Sequence, residues 1–107
     1  MSQFPIRMRA SLENGADGTA LVKVLLTHPM DTGLGRDEQG QTRAAHFITE
    51  IELSLNGAPV TRVQTGSGIA ANPLFGWRLH GVKAGDRIGI AWRDNQGLHQ
   101  SFATTAQ

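Results

Sequence analysis

The sequence contains no cysteine, which excludes thiol nucleophiles, zinc knuckles, iron–sulfur ligation and any disulfide framework, so the fold must be held by packing. It also lacks a dominant charge. Ten Lys and Arg stand against nine Asp and Glu, a formal net charge of +1, and no run of like charges occurs. Neither a nucleic-acid backbone nor an anionic membrane surface is therefore an expected partner. Long hydrophobic runs are missing too. The longest, Ala20 to Leu26, is interrupted by Lys23 and falls far short of the roughly 20 residues of a membrane span. The opening Met-Ser-Gln-Phe-Pro-Ile-Arg-Met-Arg has its charges late and no apolar stretch behind them, which is not the layout of a secretory leader. Taken alone, these residues predict one soluble domain over 1–107 with a cytoplasmic address.

Helix signals are scarce, and the chain instead carries thirteen Gly in 107 residues, about 12% against a norm of about 7%. Short elements joined by turns follow from that. Ile6, Met8, Ala10 and Leu12 alternate with Arg7, Arg9 and Ser11, four apolar side chains on one face of an extended segment. After the turn Glu13 to Gly18, the residues Ala20, Val22, Val24 and Leu26 share a face, and Pro29 stops the strand because it cannot donate to a ladder. Phe47, Thr49, Ile51, Leu53 and Leu55 alternate with Ile48, Glu50, Glu52 and Ser54, and Asn56-Gly57 predicts a hairpin into a short strand from Val60 to Thr65. Phe75, Trp77 and Leu79, then Ile88, Ile90 and Trp92, and finally Leu98, Gln100 and Phe102, mark three more strands, with Asp94-Asn95-Gln96-Gly97 as the last turn. About seven strands and no helix predict an all-β, immunoglobulin-like antiparallel sandwich, with a small barrel as the alternative. Two Trp and four Phe are expected to fill its core.

Two segments break the pattern. His28 to Ala45 has no sustained period, and connections beyond about 12–15 residues in compact domains tend to be functional or disordered. Its Asp37-Glu38-Gln39-Gly40 predicts a tight turn and hence an ordered hairpin excursion. Gly66-Ser67-Gly68, followed by Asn72-Pro73 ahead of Phe75, predicts backbone that approaches another strand or a partner. Ser67 has no Gly-x-Ser-x-Gly frame, which argues against a hydrolase, and Glu50 and Glu52 read as solvated charge on an outward strand face. His28, Met30 and His46 bracket the long loop and could converge as soft ligands for copper. No two His stand as His-x-His, however, and surface hydrogen bonding is the plainer role for each of the four. Arg7, Arg9, Arg78, Arg87 and Arg93 recur opposite the apolar positions, a placement common in protein interfaces.

The string Leu26-Thr27-His28-Pro29-Met30-Asp31-Thr32-Gly33, then Arg36-Asp37-x-x-Gly40, His46-Phe47-Ile48, Leu55-Asn56-Gly57 and Ala71-Asn72-Pro73-Leu74-Phe75, resembles the SoxZ family. The similarity extends to Lys83-Ala84-Gly85-Asp86 and to Trp92-x-Asp94-Asn95-x-Gly97. One departure is Ala44-Ala45, where the family usually has Pro-Ala before His46, and it is expected to loosen the exit of the loop. The resemblance implies an immunoglobulin-like subunit without catalytic residues or cofactor that forms a heterodimer, or a higher assembly, with SoxY. The C-terminal Gly-Gly-Cys-Gly-Gly arm of SoxY carries sulfur intermediates in thiosulfate oxidation while other Sox enzymes visit. It further implies a periplasmic location, reached by export with the signal-bearing partner, in place of the cytoplasmic expectation. Residues expected at the partner contact are His28, Met30, Arg36, His46, Asn72, Pro73 and Phe75. In isolation, self-association through the same exposed face is expected. The competing expectation is a periplasmic copper-binding module built on His28, Met30 and His46.

Overall fold

The computed structural model describes residues 4–107; residues 1–3, with which the stretch read for a leader begins, lie outside them. Seven strands form two antiparallel sheets. One holds β1 (Ile6–Leu12), β2 (Gly18–Leu26) and β5 (Leu74–Val82) in the order β1-β2-β5. The other holds β3 (Ile48–Leu55), β4 (Ala58–Gln64), β6 (Arg87–Asp94) and β7 (His99–Thr105) in the order β4-β3-β6-β7. This is the expected sandwich rather than a barrel, since neither β1 with β7 nor β5 with β4 continues a ladder. One side is nonetheless stitched: the Leu12 N–H donates to the Gln107 carbonyl at 2.8 Å and the Gln107 N–H to the Ala10 carbonyl at 3.2 Å.

The alternation read from β1, β2 and β6 is the alternation of burial. Ala20, Val22, Val24 and Leu26 are fully buried while Leu21, Lys23 and Leu25 face solvent. Asn56 and Gly57 both take positive φ, 50° and 85°, the backbone that a two-residue hairpin turn requires. The fully buried centre is mostly aliphatic, and the aromatics close around it largely as expected, with Phe4, Phe47, Phe75 and Trp77 packed partly buried against it. Trp92 is the one aromatic among the buried residues, and Phe102 is 46% exposed on the edge strand β7. Val, Leu and Ile suit a half-buried pleated surface and fill the centre of the thin gap between sheets.

Strand β3 departs from its predicted phase. Ile48 is buried together with Ile51 and Leu53, so the inward positions run 48, 51, 53. A register shift in the pairing with β6, where Ile48 faces Asp94 and Glu50 faces Arg93, leaves Thr49 as the extra residue. Such a bulge re-aims the side chains before it, and here those belong to His46 and Phe47. Of the stretch expected to bring backbone close to another strand, Asn72-Pro73 does so, the Pro73 carbonyl accepting the Leu26 N–H and the Asn72 N–H donating to the His28 carbonyl, both at 3.0 Å, whereas a Cβ at Gly66 or Gly68 would meet nothing within 4 Å.

Candidate functional site

Both halves of the site arise because inward alternation outlasts the strands that start it. Past Leu26 the positions His28 and Met30 stay buried while Pro29 between them is exposed. Past Trp92 the next inward residue is Asp94. The two polar residues therefore meet at the end of the sandwich where apolar side chains would otherwise continue.

The Asp94 carboxylate accepts four hydrogen bonds. Its Oδ2 takes the Nε2–H of His28 at 3.0 Å and of His46 at 2.6 Å, and its Oδ1 takes the backbone N–H of Gln96 at 3.0 Å and of Leu98 at 2.9 Å. The Nδ1 of His28 accepts the Met30 N–H at 3.1 Å, which fixes its tautomer with the hydrogen on Nε2. Aromatic rings wall the cluster. His28 and His46 lie edge to face at 4.6 Å, Trp92 stands 5.1 Å from His28, and Phe4 is 5.3–5.9 Å from His28, His46 and Trp92.

Burial lowers the pKa of His28 from its ordinary 6.5, with the hydrogen bond to Asp94 opposing the shift and the neighbouring His46 adding to it. Burial alone would raise the Asp94 carboxyl. The hydrogen bonds from His28, His46, Leu98 and Gln96 outweigh that and hold it below its ordinary value. The arrangement is a neutral buried imidazole and an ionised carboxylate, a paired set whose desolvation is offset by hydrogen bonds to the charged partner.

The loop above it is an ordered hairpin, as the tight-turn reading predicts. Asp31 and His46 exchange backbone bonds at 2.7 and 2.8 Å, Arg43 donates to Gly35, and Asp37 closes the tip by accepting from Gln39 and Gln41. Its exit is tied at Ala45. The Ala45 carbonyl accepts from both Asn95 Nδ2 and Gln96 Nε2 at 3.0 Å, and Ala45 packs on Gly33, whose φ is 82°. Asn72, at φ 52°, exchanges bonds with His28 in both directions, its Oδ1 and N–H meeting the His28 N–H and carbonyl at 3.0 Å.

The expected site residues thus fall into two groups. His28, His46 and Asn72 converge, with Met30 beside them and Pro73 next to Asn72, its carbonyl accepting the Leu26 N–H at 3.0 Å. Arg36 sits on the hairpin and donates to Gly40, and Phe75 stacks on Trp77 along β5. Surface hydrogen bonding does not describe His28, which is 1% exposed, whereas His80 and His99 lie on outer faces as expected. Met30, 5% exposed, uses its sulfur to accept the Ile48 N–H at 3.3 Å, so the thioether proposed as a copper ligand has another task. The His28, His46 and Asp94 donor atoms lie within 4.8 Å of one another. A cation there would have to displace both Nε2–H bonds to the carboxylate.

The family model for the sulphur oxidation protein SoxZ matches residues 7–105. The chain belongs to the SoxZ family. No sequence among curated proteins matches it. Within this SoxZ-family chain the residue that composition and motif spacing missed is Asp94. Its place in Asp94-Asn95-Gln96-Gly97 marks it as the first residue of a turn, yet Ile88, Ile90, Trp92, Asp94 is an unbroken inward series. Membership places the chain in sulfur oxidation.

Proposed function

We propose that this chain is the non-catalytic subunit of a periplasmic SoxYZ-type carrier that holds SoxY while sulfur intermediates ride on the SoxY cysteine. The observation that carries the reading is the family match over residues 7–105 in a chain without a single thiol. A second thiol beside a persulfide or thiosulfonate adduct would exchange with it, because any thiolate within reach attacks the sulfur–sulfur bond. A scaffold free of Cys removes that side reaction. The hairpin from His28 to His46, with Leu34 86% exposed, is the segment we assign to the carrier arm or the visiting enzymes. Its base is locked to the sandwich by the bonds of His28 and His46 to Asp94, so the hairpin presents a fixed shape.

Co-expression with a SoxY chain carrying the export signal, followed by periplasmic fractionation and size-exclusion chromatography, tests the proposal. The expected result is a stable complex in the periplasmic fraction, built on an interface above roughly 1,000 Å². Separate elution of the two chains would remove the reading.

A further inference from the structure

The outer faces of the two sheets differ in a way that the net charge of +1 conceals. On the three-stranded sheet the ladder registers set Arg7 beside Leu25 and Leu74, Arg9 beside Lys23 and Gly76, and Ser11 beside Leu21 and Arg78. This three-by-three grid alternates outward from the core, and it carries four cations, three leucines and no carboxylate. Leu21, Leu25 and Leu74 are 38%, 36% and 69% exposed. Glu13, in the turn after β1, bonds to Arg78 at 2.6 Å. Among the described residues no ion pair reaches Arg7, Arg9 or Lys23.

Arg9 and Lys23 are direct cross-strand neighbours, a like-charge opposition that costs the sheet stability. Gly76, next in the same row on the edge strand β5, leaves a gap beside Lys23. Shallow grooves run on either side of Lys23, one lined by Arg7, Arg9, Lys23, Leu25 and Leu74 and the other by Leu21, Lys23, Gly76 and Arg78. The four-stranded sheet has already neutralised part of its own outer face. Arg62 bridges Glu50 at 3.1 Å and Glu52 at 2.8 Å.

We infer that the outer face of the β1-β2-β5 sheet is the docking surface for the carrier partner, and that the partner meets it with carboxylates flanking apolar side chains. The inference rests on the reading proposed above. Three unpaired cations around exposed leucines fit an acidic, apolar surface, because carboxylates arriving between Arg9 and Lys23 turn a repulsion into two attractions. A second copy of this chain does not fit, since it would set cations against cations. Leu21 and Leu25 on the central strand, with Leu74, supply apolar contact area, and the arginines of the two edge strands supply a polar rim.

Affinity for SoxY, measured by titration calorimetry at low salt, tests this with three variants. Lys23→Glu gives Arg9 an opposite-charge neighbour, so the fold gains stability while the face loses its basic character; the expected result is a Kd at least about tenfold weaker together with a higher unfolding midpoint. Gly76→Gln fills the gap, and since a Cβ there has ordinary contact with the Val22 carbonyl at 3.8 Å, the fold tolerates it while binding weakens at least about tenfold. Arg87→Glu makes the same change of charge as Lys23→Glu on β6 of the other sheet and should leave Kd within about threefold. Wild-type affinity in both Lys23→Glu and Gly76→Gln, or a loss confined to Arg87→Glu, would overturn the inference and leave the carrier reading standing. Absence of binding by the wild-type chain would overturn both.

Discussion

Asp94 is a charge placed where the sandwich would ordinarily continue its apolar core, and four donors make that placement stable. An amide in its place accepts at one oxygen and offers N–H hydrogens toward donors already there. Asp94→Asn should therefore leave at least two donors without acceptors and lower the unfolding free energy by about 2–5 kcal/mol, measured by urea denaturation. The pH dependence follows from His28. As pH falls through 6.5, unfolded His28 takes up a proton that the folded chain resists because its own pKa lies lower. The unfolded state then binds more protons, so stability declines with falling pH until the depressed folded value is passed. Asp94, held below 3.8, adds a second loss in the same direction as pH falls through and below 3.8. Urea midpoints between pH 8 and pH 4 should be flat above about pH 7 and decline below it. A midpoint that rises on acidification would contradict this assignment of protonation states.

At the scale of elements, the long hairpin is fixed at its base by two short strand extensions in addition to the bonds of His28 and His46 to Asp94. One is the exchange between His28 and Asn72, which prolongs the β2-β5 ladder past Leu26; the other is the Asp31–His46 bridge. The bulge at Thr49 is the device that lets His46 and Ile48 both serve the inner side. Thr49 is tied on both flanks, its hydroxyl donating to the Arg93 carbonyl at 3.1 Å and its own carbonyl accepting from the Thr65 N–H at 2.9 Å. Asn72 combines a side-chain acceptor with a left-handed backbone, and the two contributions can be separated. Asn72→Ala loses both and should cost about 1–3 kcal/mol in urea unfolding, while Asn72→Gly restores the backbone and should recover part of that loss. Equal costs for the two would mean that the φ of 52° contributes nothing.

For the whole molecule, what matters is how nineteen nearly balanced charges are distributed. Arg7, Arg9, Lys23 and Arg78 gather on one sheet, while Glu50 and Glu52 are taken up by Arg62 on the other. A face of one sign steers an oppositely charged partner over distances comparable to the Debye length, about 10 Å at 0.1 M salt. The association rate with SoxY, followed by stopped flow, should fall about tenfold or more between 0.05 and 0.5 M salt, with a much smaller change in dissociation rate. A rate indifferent to salt would assign binding to a surface without this charge.

The sequence by itself determined the strands, the Asn56-Gly57 turn, the ordered hairpin and the family, because side-chain alternation, turn chemistry and motif spacing are local properties of the chain. It also carried a signal that turn residues obscured. The inward series 20, 22, 24, 26 continues to His28 and Met30, and 88, 90, 92 continues to Asp94, across Pro29 and into Asp94-Asn95-Gln96-Gly97. Tertiary structure alone decided that these two series end at one point, that a bulge brings His46 to the same carboxylate, and that Arg9 and Lys23 face each other without an acid. Each of those depends on register between strands far apart in the chain, and a one-residue shift of register reverses which side of the sheet a residue occupies.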